Sequence, residues 1–161
     1  SESGKIVTLD KQDRSLWNPT YIKEGFYHLD QANNGDMMTK YHIEALISSI
    51  HCFSESFDKT DWNQIIELYG QLEKLDPSPL CVLNKIVAIG YLHGPSAALT
   101  QLERLTGSGE LSNHYLLYAV EGDLLAQLNK PNLAKRAFKK AHELSKNSLE
   151  QEFLTERILE L

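Results

Sequence analysis

The residues of this sequence that could do chemistry are not arranged in any recognised catalytic or metal-binding motif. No two of the six histidines have the His-x3-His spacing of a helical zinc site, and HExxH, CxxC, GxSxG and phosphate-binding glycine loops are absent. His51 and Cys52 are adjacent, so on a helix their side chains point about 100° apart and form a poor nucleophile–base pair. We therefore expect a protein that is not an enzyme and that needs neither a metal nor a cofactor.

A few polar and aromatic residues are better candidates for binding than for catalysis. Asn84 and Lys85 lie inside the apolar segment LCVLNKIVAIGYL, where a polar side chain must be hydrogen-bonded or face a groove. Asn84 is either a buried amide that ties two helices together or a contact to a partner in a concave face. Tyr91 either packs in the core or lines the same groove. His51 is interpreted as a packed histidine whose hydrogen bonds are satisfied.

Basic residues on one predicted helix define a second candidate surface. The segment 131–146 has five Lys or Arg residues against one acid, whereas 147–161 has four Glu residues against one Arg. This basic face is either solvated and balanced by its neighbour, or it docks on an acidic protein surface or on nucleic acid. Its residues are Lys135, Arg136, Lys139 and Lys140.

Helices must position these residues, because no segment alternates apolar and polar residues as a half-buried strand does. A cap-like residue precedes proline at 18–19, 78–79 and 94–95, and Asn-Lys precedes proline at 129–131, as is typical of helix starts. Thr60 with Asp61 marks a further start, and Asn147 with Glu150 has the spacing of a capping box. The predicted helices cover about 18–32, 38–54, 60–75, 78–92, 95–106, 112–129, 131–145 and 148–160.

The helical pattern is similar to that of tetratricopeptide repeats. Gly122, Ala134, Phe138 and Ala141 fit it closely, with small residues where helices approach and an aromatic ring between helix pairs. Equivalent positions recur at 65, 98 and 134. We predict an all-α fold of about eight helices, arranged as antiparallel helical hairpins stacked in a right-handed, tetratricopeptide-like array. The alternative is an irregular helical bundle, whereas an array offers an extended concave binding face.

Composition narrows the classes of function further. The chain has 161 residues, a net charge of −6 and a pI near 5.5, which argues against a domain that mainly wraps nucleic-acid phosphates. Two cysteines are too few for a disulfide scaffold, and they favour a reduced, cytoplasmic compartment. No apolar run approaches the ~18 residues of a membrane span, so no membrane partner is expected.

The order and spacing of several short motifs resemble the C-terminal extension of a group of extracytoplasmic-function (ECF) sigma factors of bacterial RNA polymerase. In that group a tetratricopeptide-like domain follows the promoter-reading regions. The resemblance runs from about residue 9 to the end, with departures at Glu44, Glu121 and Gln151 that reduce positive charge. The motifs that carry it are QDRSLW at 12–17, Ala45, Ile47 and His51, TDW at 60–62, Leu68-Tyr69, PSP at 77–79 with Leu83-Asn84, GP at 94–95, DLL at 123–125, and Asn147, Glu150, Phe153 and Leu154.

The resemblance implies a non-catalytic regulatory or protein-interaction domain. Residues 1–12 would be a linker from sigma regions that precede Ser1, and residues 13–161 would form the domain itself. The expected partners are those upstream sigma regions, the RNA polymerase core, or a regulatory protein, with no direct DNA binding by this fragment. The alternatives are a free-standing peptide-binding adaptor, a small-molecule sensor with a pocket lined by His51, Trp62 and Tyr91, and an enzyme with a non-standard site.

Candidate roles can also be assigned to individual residues from their types and positions. Asp123 of the DLL motif joins His51, Asn84, Lys85 and Tyr91 as a candidate groove residue. The other motif residues are interpreted mainly as anchors of the fold, with residues 13 and 14 forming a local ion pair. These anchors are Asp13, Arg14, Trp17, Trp62 and Tyr69.

Overall fold

A computed structural model describes residues 4–32, 38–109 and 111–161, and within these ranges the secondary structure is helical with no strand. The eight α-helices of the described residues lie within a few residues of their predicted bounds, so the all-α prediction is confirmed. Short 3-10 turns also occur at Leu9–Lys11, Arg14–Leu16 and Phe57–Lys59. The helices are α1 (Pro19–Ala32), α2 (Lys40–Phe53), α3 (Trp62–Leu75), α4 (Pro79–His93), α5 (Pro95–Ser108), α6 (Tyr115–Gln127), α7 (Pro131–Leu144) and α8 (Ser148–Leu159).

Local side-chain chemistry starts several helices where the sequence indicated. Asn18 Oδ1 accepts a hydrogen bond from the Thr20 amide at 2.9 Å, and Asp61 Oδ1 accepts one from the Gln64 amide at 3.0 Å. Proline is the first residue of α1, α4, α5 and α7. Its missing N–H is harmless there, because first-turn donors have no partner within the helix.

The predicted capping-box role of Glu150 is wrong, because its carboxylate makes tertiary contacts instead. Asn147 does cap α8, since its Oδ1 accepts from the Leu149 amide at 2.9 Å, but the Asn147 amide donates to Ser145 Oγ at 3.3 Å. Glu150 accepts hydrogen bonds from Tyr115 Oη and Ser145 Oγ, each at 2.7 Å. Burial together with this carboxylate raises the pKa of Tyr115 to about 12. These bonds fasten the start of α8 to α6.

The chain forms two compact units, and the boundary between them falls inside α4. One unit comprises residues 7–81, and the other comprises residues 82–161 with the described part of 1–6. The sequence predicts no boundary within 13–161. In the second unit, Lys5 forms an ion pair with Glu156 of α8.

In the unit of residues 7–81, α1 packs on α2 and α2 packs on α3. Helix α1 contributes no fully buried side chain, but its Phe26 stacks on Phe53 of α2 with the ring centroids 4.2 Å apart. The burial of apolar residues is therefore concentrated between α2 and α3. The buried apolar residues of these two helices are Ile43, Ile47, Ile65, Leu68 and Leu72.

In the unit of residues 82–161, the helices from α5 to α8 each pack on the next one in the chain. This sequential packing is that of a helical-repeat array, in which neighbouring helices share a core. Ala98 and Ala134, two of the positions that the repeat spacing equated, are fully buried. The third, Ile65 in the other unit, is also buried. The repeat spacing therefore identified core positions correctly.

The contact between α6 and α7 depends on a glycine. Gly122 of α6 lies against the ring of Phe138 of α7, and a Cβ at residue 122 would lie 2.6 Å from Phe138 Cδ1 and Cε1. The Phe138 side chain is fully buried, so the ring has no free space into which to retreat. The repeat pattern predicted a small residue at this position, and packing against Phe138 specifically favours glycine.

Gly122→Ala is expected to destabilise the unit of residues 82–161 by about 1–2 kcal/mol. Overpacking against Phe138 costs about 1–3 kcal/mol, and the better helix propensity of alanine returns up to about 1 kcal/mol. The matched control is Gly25→Ala in α1, where a Cβ meets no atom within 4 Å. The control should stabilise its own unit by about 0.5–1 kcal/mol. Urea unfolding measured by far-UV circular dichroism checks both, and equal effects of the two substitutions would contradict the packing argument.

Candidate functional site

A groove of about 660 Å³ runs between α5, α6 and α7 in the unit of residues 82–161. Two features distinguish it. Most of its charged lining is exposed, and its acidic and basic side chains come from different helices, apart from Glu143. The lining residues are Leu99, Leu102, Glu103 and Thr106 of α5, Tyr118, Glu121 and Leu125 of α6, Lys130 before α7, and Leu133, Arg136, Ala137, Lys139, Lys140 and Glu143 of α7.

Helices α5 and α6 supply an acidic side of the groove. Glu103 is exposed and Glu121 is half-buried, and within the described part of the chain neither carboxylate has an ion-pair partner. Partial burial, and then the negative charge of Glu103, raise the pKa of Glu121 above its usual range. Both causes disfavour the charged carboxylate. A cation brought into the groove would offset both, because an adjacent positive charge favours the charged carboxylate.

The N-terminal end of α7 and its exposed face supply a basic side. Lys130, Arg136, Lys139 and Lys140 all line the groove and are all exposed. Among the described residues, the ion pair that these side chains form is loose, with Lys140 Nζ 3.9 Å from Glu143 Oε2. The structure thus places three of the four residues of the predicted basic face in the groove. Lys135 is exposed but is not a lining residue.

Apolar side chains also line the groove. Leu102, Leu125 and Ala137 are buried, Leu99 is half-buried, and Leu133 remains 46% exposed. The Tyr118 hydroxyl donates to the Ser112 carbonyl at 2.9 Å and so is already used within the protein. An open groove with charged edges and an apolar floor suits binding of another molecule more than catalysis.

A second groove of about 590 Å³ lies between α2 and α3. It differs from the first because its charged side chains have partners within the protein. Lys59 and Glu55, which both line it, form an ion pair with each other. Asp61, also a lining residue, caps α3 by accepting from the Gln64 amide. Because the charges of this groove are satisfied within the protein, the α5–α7 groove is the stronger candidate site.

Comparison with known proteins gives one relative and no functional assignment. An uncharacterized protein of Rhizobium meliloti (strain 1021) is 37% identical to this chain over 153 residues. The match covers 94% of this chain and 36% of the Rhizobium protein, so the chain spans about a third of that relative's length. No protein-family model matches the chain. No solved structure matches it either.

Two further observations concern metal binding and membrane-spanning helices. Within residues 4–32, 38–109 and 111–161, no group of three or more His, Cys, Asp or Glu side chains could hold a metal ion. None of the helices in these ranges combines the length and the apolar character needed to cross a bilayer.

The candidate groove residues from the sequence do not gather at the α5–α7 groove. Asp123 forms an ion pair with Arg157, whose Nη2 and Nε lie 2.6 Å and 3.1 Å from Asp123 Oδ1. That pair joins α6 to α8, so Asp123 acts in packing. Asn84, Lys85 and Tyr91 belong to α4, and none of the described lining residues of the groove comes from α4.

The exposure of the α4 residues settles two alternatives that the sequence left open. Asn84 is exposed, so its interpretation as a buried amide between two helices is wrong. Tyr91 is 45% exposed, so it does not pack fully in the core. Both side chains lie at the surface of α4, while Lys85 is half-buried.

Arg14 is a structural anchor of the unit of residues 7–81, although not through the predicted ion pair. Its Nη1 donates to the carbonyl of His51 at 2.8 Å and to that of Ser54, and its Nη2 donates to Thr60 Oγ1 at 3.5 Å. Asp13 instead accepts from the Ser15 amide at 2.9 Å, and no ion pair joins it to Arg14 in the described chain. The guanidinium therefore holds the last carbonyls of α2, which lack partners within the helix.

Aromatic side chains surround this anchor. The Arg14 guanidinium lies 5.2 Å from the ring centroid of Trp17. The His51 ring meets that of Trp62 edge-on at 5.4 Å, and the ring of Trp62 lies 5.1 Å from that of Phe57. These contacts support the interpretation of residues 14, 17 and 62 as fold anchors. Tyr69 is half-buried, and burial raises its pKa.

His51 is packed as predicted, but its hydrogen bonds are not all satisfied. Its Nδ1 is buried without a hydrogen-bond partner, as is Arg14 Nε. Burial, and secondarily the positive charge of Arg14, lower the pKa of His51. The prediction of a histidine whose hydrogen bonds are all satisfied is wrong, because Nδ1 has no partner. The ring instead lies in edge-on contact with Trp62.

Glu103, Lys130 and Leu133 are site residues that the sequence did not predict, and Glu121 was noted there only as a departure from a family pattern. One available signal was the spacing of Leu133, Arg136 and Lys140, which recur at three and four residues and therefore share one face of α7. No local signal could show that Glu103 and Glu121, on two different helices, line the groove beside that face.

Proposed function

We propose that this chain is a non-catalytic protein-interaction domain with a regulatory role in an ECF-type sigma factor of RNA polymerase. The observation that carries the interaction role is the α5–α7 groove, with its unpaired acidic side, its exposed basic side and its apolar floor. The tie to a sigma factor rests on the ordered motifs from QDRSLW at 12–17 to Asn147, Glu150, Phe153 and Leu154. The parent protein would direct the polymerase to promoters.

The length of the Rhizobium relative is consistent with this proposal. The match leaves about 64% of that protein outside it (100% minus the 36% covered), which is room for the sigma regions that the resemblance implies. The partners are then the upstream sigma regions, the RNA polymerase core or a regulatory protein in the cytoplasm. The net charge of −6 supports a protein partner over direct contact with promoter DNA.

The test is a calorimetric titration of this chain into the separately purified upstream regions of its parent protein, with a second titration into RNA polymerase core. We expect binding to at least one of them with a dissociation constant of about 10 µM or tighter, as for a specific regulatory contact. Promoter-directed transcription by the intact parent with core polymerase should also change when residues 13–161 are removed. Absence of binding in both titrations together with unchanged transcription would overturn the proposal.

A free-standing peptide-binding adaptor is the second candidate, because the same groove would serve it equally well. The reading frame upstream of Ser1 separates the two functions, since only a sigma factor encodes polymerase-binding and promoter-binding regions there. A frame without those regions would favour the adaptor.

A further inference from the structure

Opposite charges from different helices line the α5–α7 groove. Glu103 and Glu121 lie on α5 and α6, whereas Arg136 and Lys139 lie on α7. All four line the same groove, yet in the described residues none of them forms an ion pair. A half-buried carboxylate without a cation is electrostatically unfavourable, and here a like charge makes it more so. An occupant with the complementary charges would gain energy on both sides.

The apolar lining of the groove adds a second requirement. Leu133 of α7 lines the groove while 46% exposed, and Leu99 of α5 lines it while half-buried. An apolar side chain placed against them would cover surface that is now in water, at roughly 25 cal/mol for each Å² removed. The groove thus presents acidic, apolar and basic side chains to an occupant.

We propose that this groove binds a segment of a partner protein that carries a basic, an apolar and an acidic side chain. The basic side chain lies against Glu103 and Glu121, the apolar one against Leu133, and the acidic one against Arg136 and Lys139. This inference rests on the proposed interaction function and adds the chemistry of the partner. The acidic side argues against nucleic acid, because carboxylates repel phosphate. A groove of about 660 Å³ formed by three helices has room for several consecutive side chains, more than a free amino acid would fill.

The test uses synthetic peptides and no component of the transcription machinery. An acetylated, amidated helical peptide with one lysine, one leucine and two glutamates, each one turn apart, is titrated into the ¹⁵N-labelled chain and followed by NMR. We expect shifts confined to residues of α5, α6 and α7 that line the groove. Control peptides replace the leucine by serine or the lysine by glutamate, and each should bind at least about fivefold more weakly.

A pair of protein variants distinguishes binding in the groove from a general effect of the charge of the protein. Arg136→Glu and Lys135→Glu make the same change of charge on neighbouring exposed residues of α7, but only residue 136 lines the groove. We expect Arg136→Glu to weaken the mixed-charge peptide at least about tenfold and Lys135→Glu to change it less than about twofold. Glu121→Gln should weaken the same peptide and leave the lysine-to-glutamate control peptide unaffected or better bound.

Each outcome of this experiment decides the inference. No shifts at millimolar peptide, shifts outside the groove, or equal binding of all three peptides would overturn it. Equal effects of Arg136→Glu and Lys135→Glu would do the same. Because no sigma region or polymerase is present, such a failure leaves the calorimetric test of the proposed function untouched. Conversely, peptide binding in the groove would support the inference even where absent binding to sigma regions and core, together with unchanged transcription, rejects the sigma role.

Discussion

Phe138→Ala is expected to lower the free energy of unfolding of the unit of residues 82–161 by about 3–5 kcal/mol. The ring is fully buried and packs on Gly122, and the guanidinium of Arg157 lies 5.4 Å from its centroid. Gly122 has no side chain that could refill the space, so most of the ring volume would remain a cavity. The loss therefore combines the transfer free energy of the ring with a cavity cost.

The matched control for this cavity is Phe153→Ala. Phe153 of α8 packs against the same core cluster but is only partly buried, so its removal should cost clearly less. Amide hydrogen exchange at the buried residues Leu117 and Leu154 measures the opening free energy of this unit for both variants. Equal losses for the two substitutions would show that residue 138 does not hold the central place in the packing assigned to it.

Arg14→Met is expected to destabilise the unit of residues 7–81 by about 1.5–3 kcal/mol, the range for hydrogen bonds to a charged donor. The substitution keeps an apolar stem but removes the donors to the carbonyls of His51 and Ser54, which then lose their partner at the end of α2. It also removes the cation beside Trp17. Arg14→Lys should recover little of the loss, because an ammonium group does not reproduce the planar fork of a guanidinium.

Tryptophan fluorescence during urea unfolding measures the effect of Arg14→Met, since both tryptophans of the chain, Trp17 and Trp62, belong to this unit. The control is Lys11→Met, which removes an exposed basic group and should change stability by less than about 0.5 kcal/mol. NMR titration of His51 gives a second result. The pKa of His51 should rise in Arg14→Met, because a nearby positive charge is removed, and stay below its ordinary value, because burial remains. An unchanged pKa would contradict the assigned contact.

The repeat pattern was informative because it records short-range packing. Gly122, Ala134, Phe138 and Ala141 have the sizes needed where two neighbouring helices touch, and Ala134, Phe138 and Ala141 are fully buried in the structure. The helix bounds were predictable for a similar reason. Proline positions and caps such as Asn18 and Asp61 act within one turn of the helix. Glu150 shows the limit of local patterns. It has the spacing of a capping box, but its carboxylate accepts a hydrogen bond from Tyr115 of α6 instead.

The candidate site was predictable only in part. The basic residues of α7 were identified from their types, and three of the four line the groove. Their acidic counterparts were not, because Glu103 and Glu121 lie on different helices and come to line one groove only when α5 and α6 pack together. Asp123 was misassigned to a groove for the same reason, since its partner Arg157 lies 34 residues away on α8.

The amino-acid sequence by itself therefore determined the elements of this protein: an all-helical chain, its helix starts and the residues that face the core. Those properties depend on backbone geometry and on side-chain periodicity, which act over a few residues. Only the tertiary structure decided that Asp123 joins two helices and that Asn84 is exposed. It also decided that the acidic side chains of α5 and α6 line the same groove as the basic ones of α7, with no ion pair between the two sets in the described chain. These relations depend on distances between helices, which are fixed when apolar faces such as those around Phe138 pack against each other.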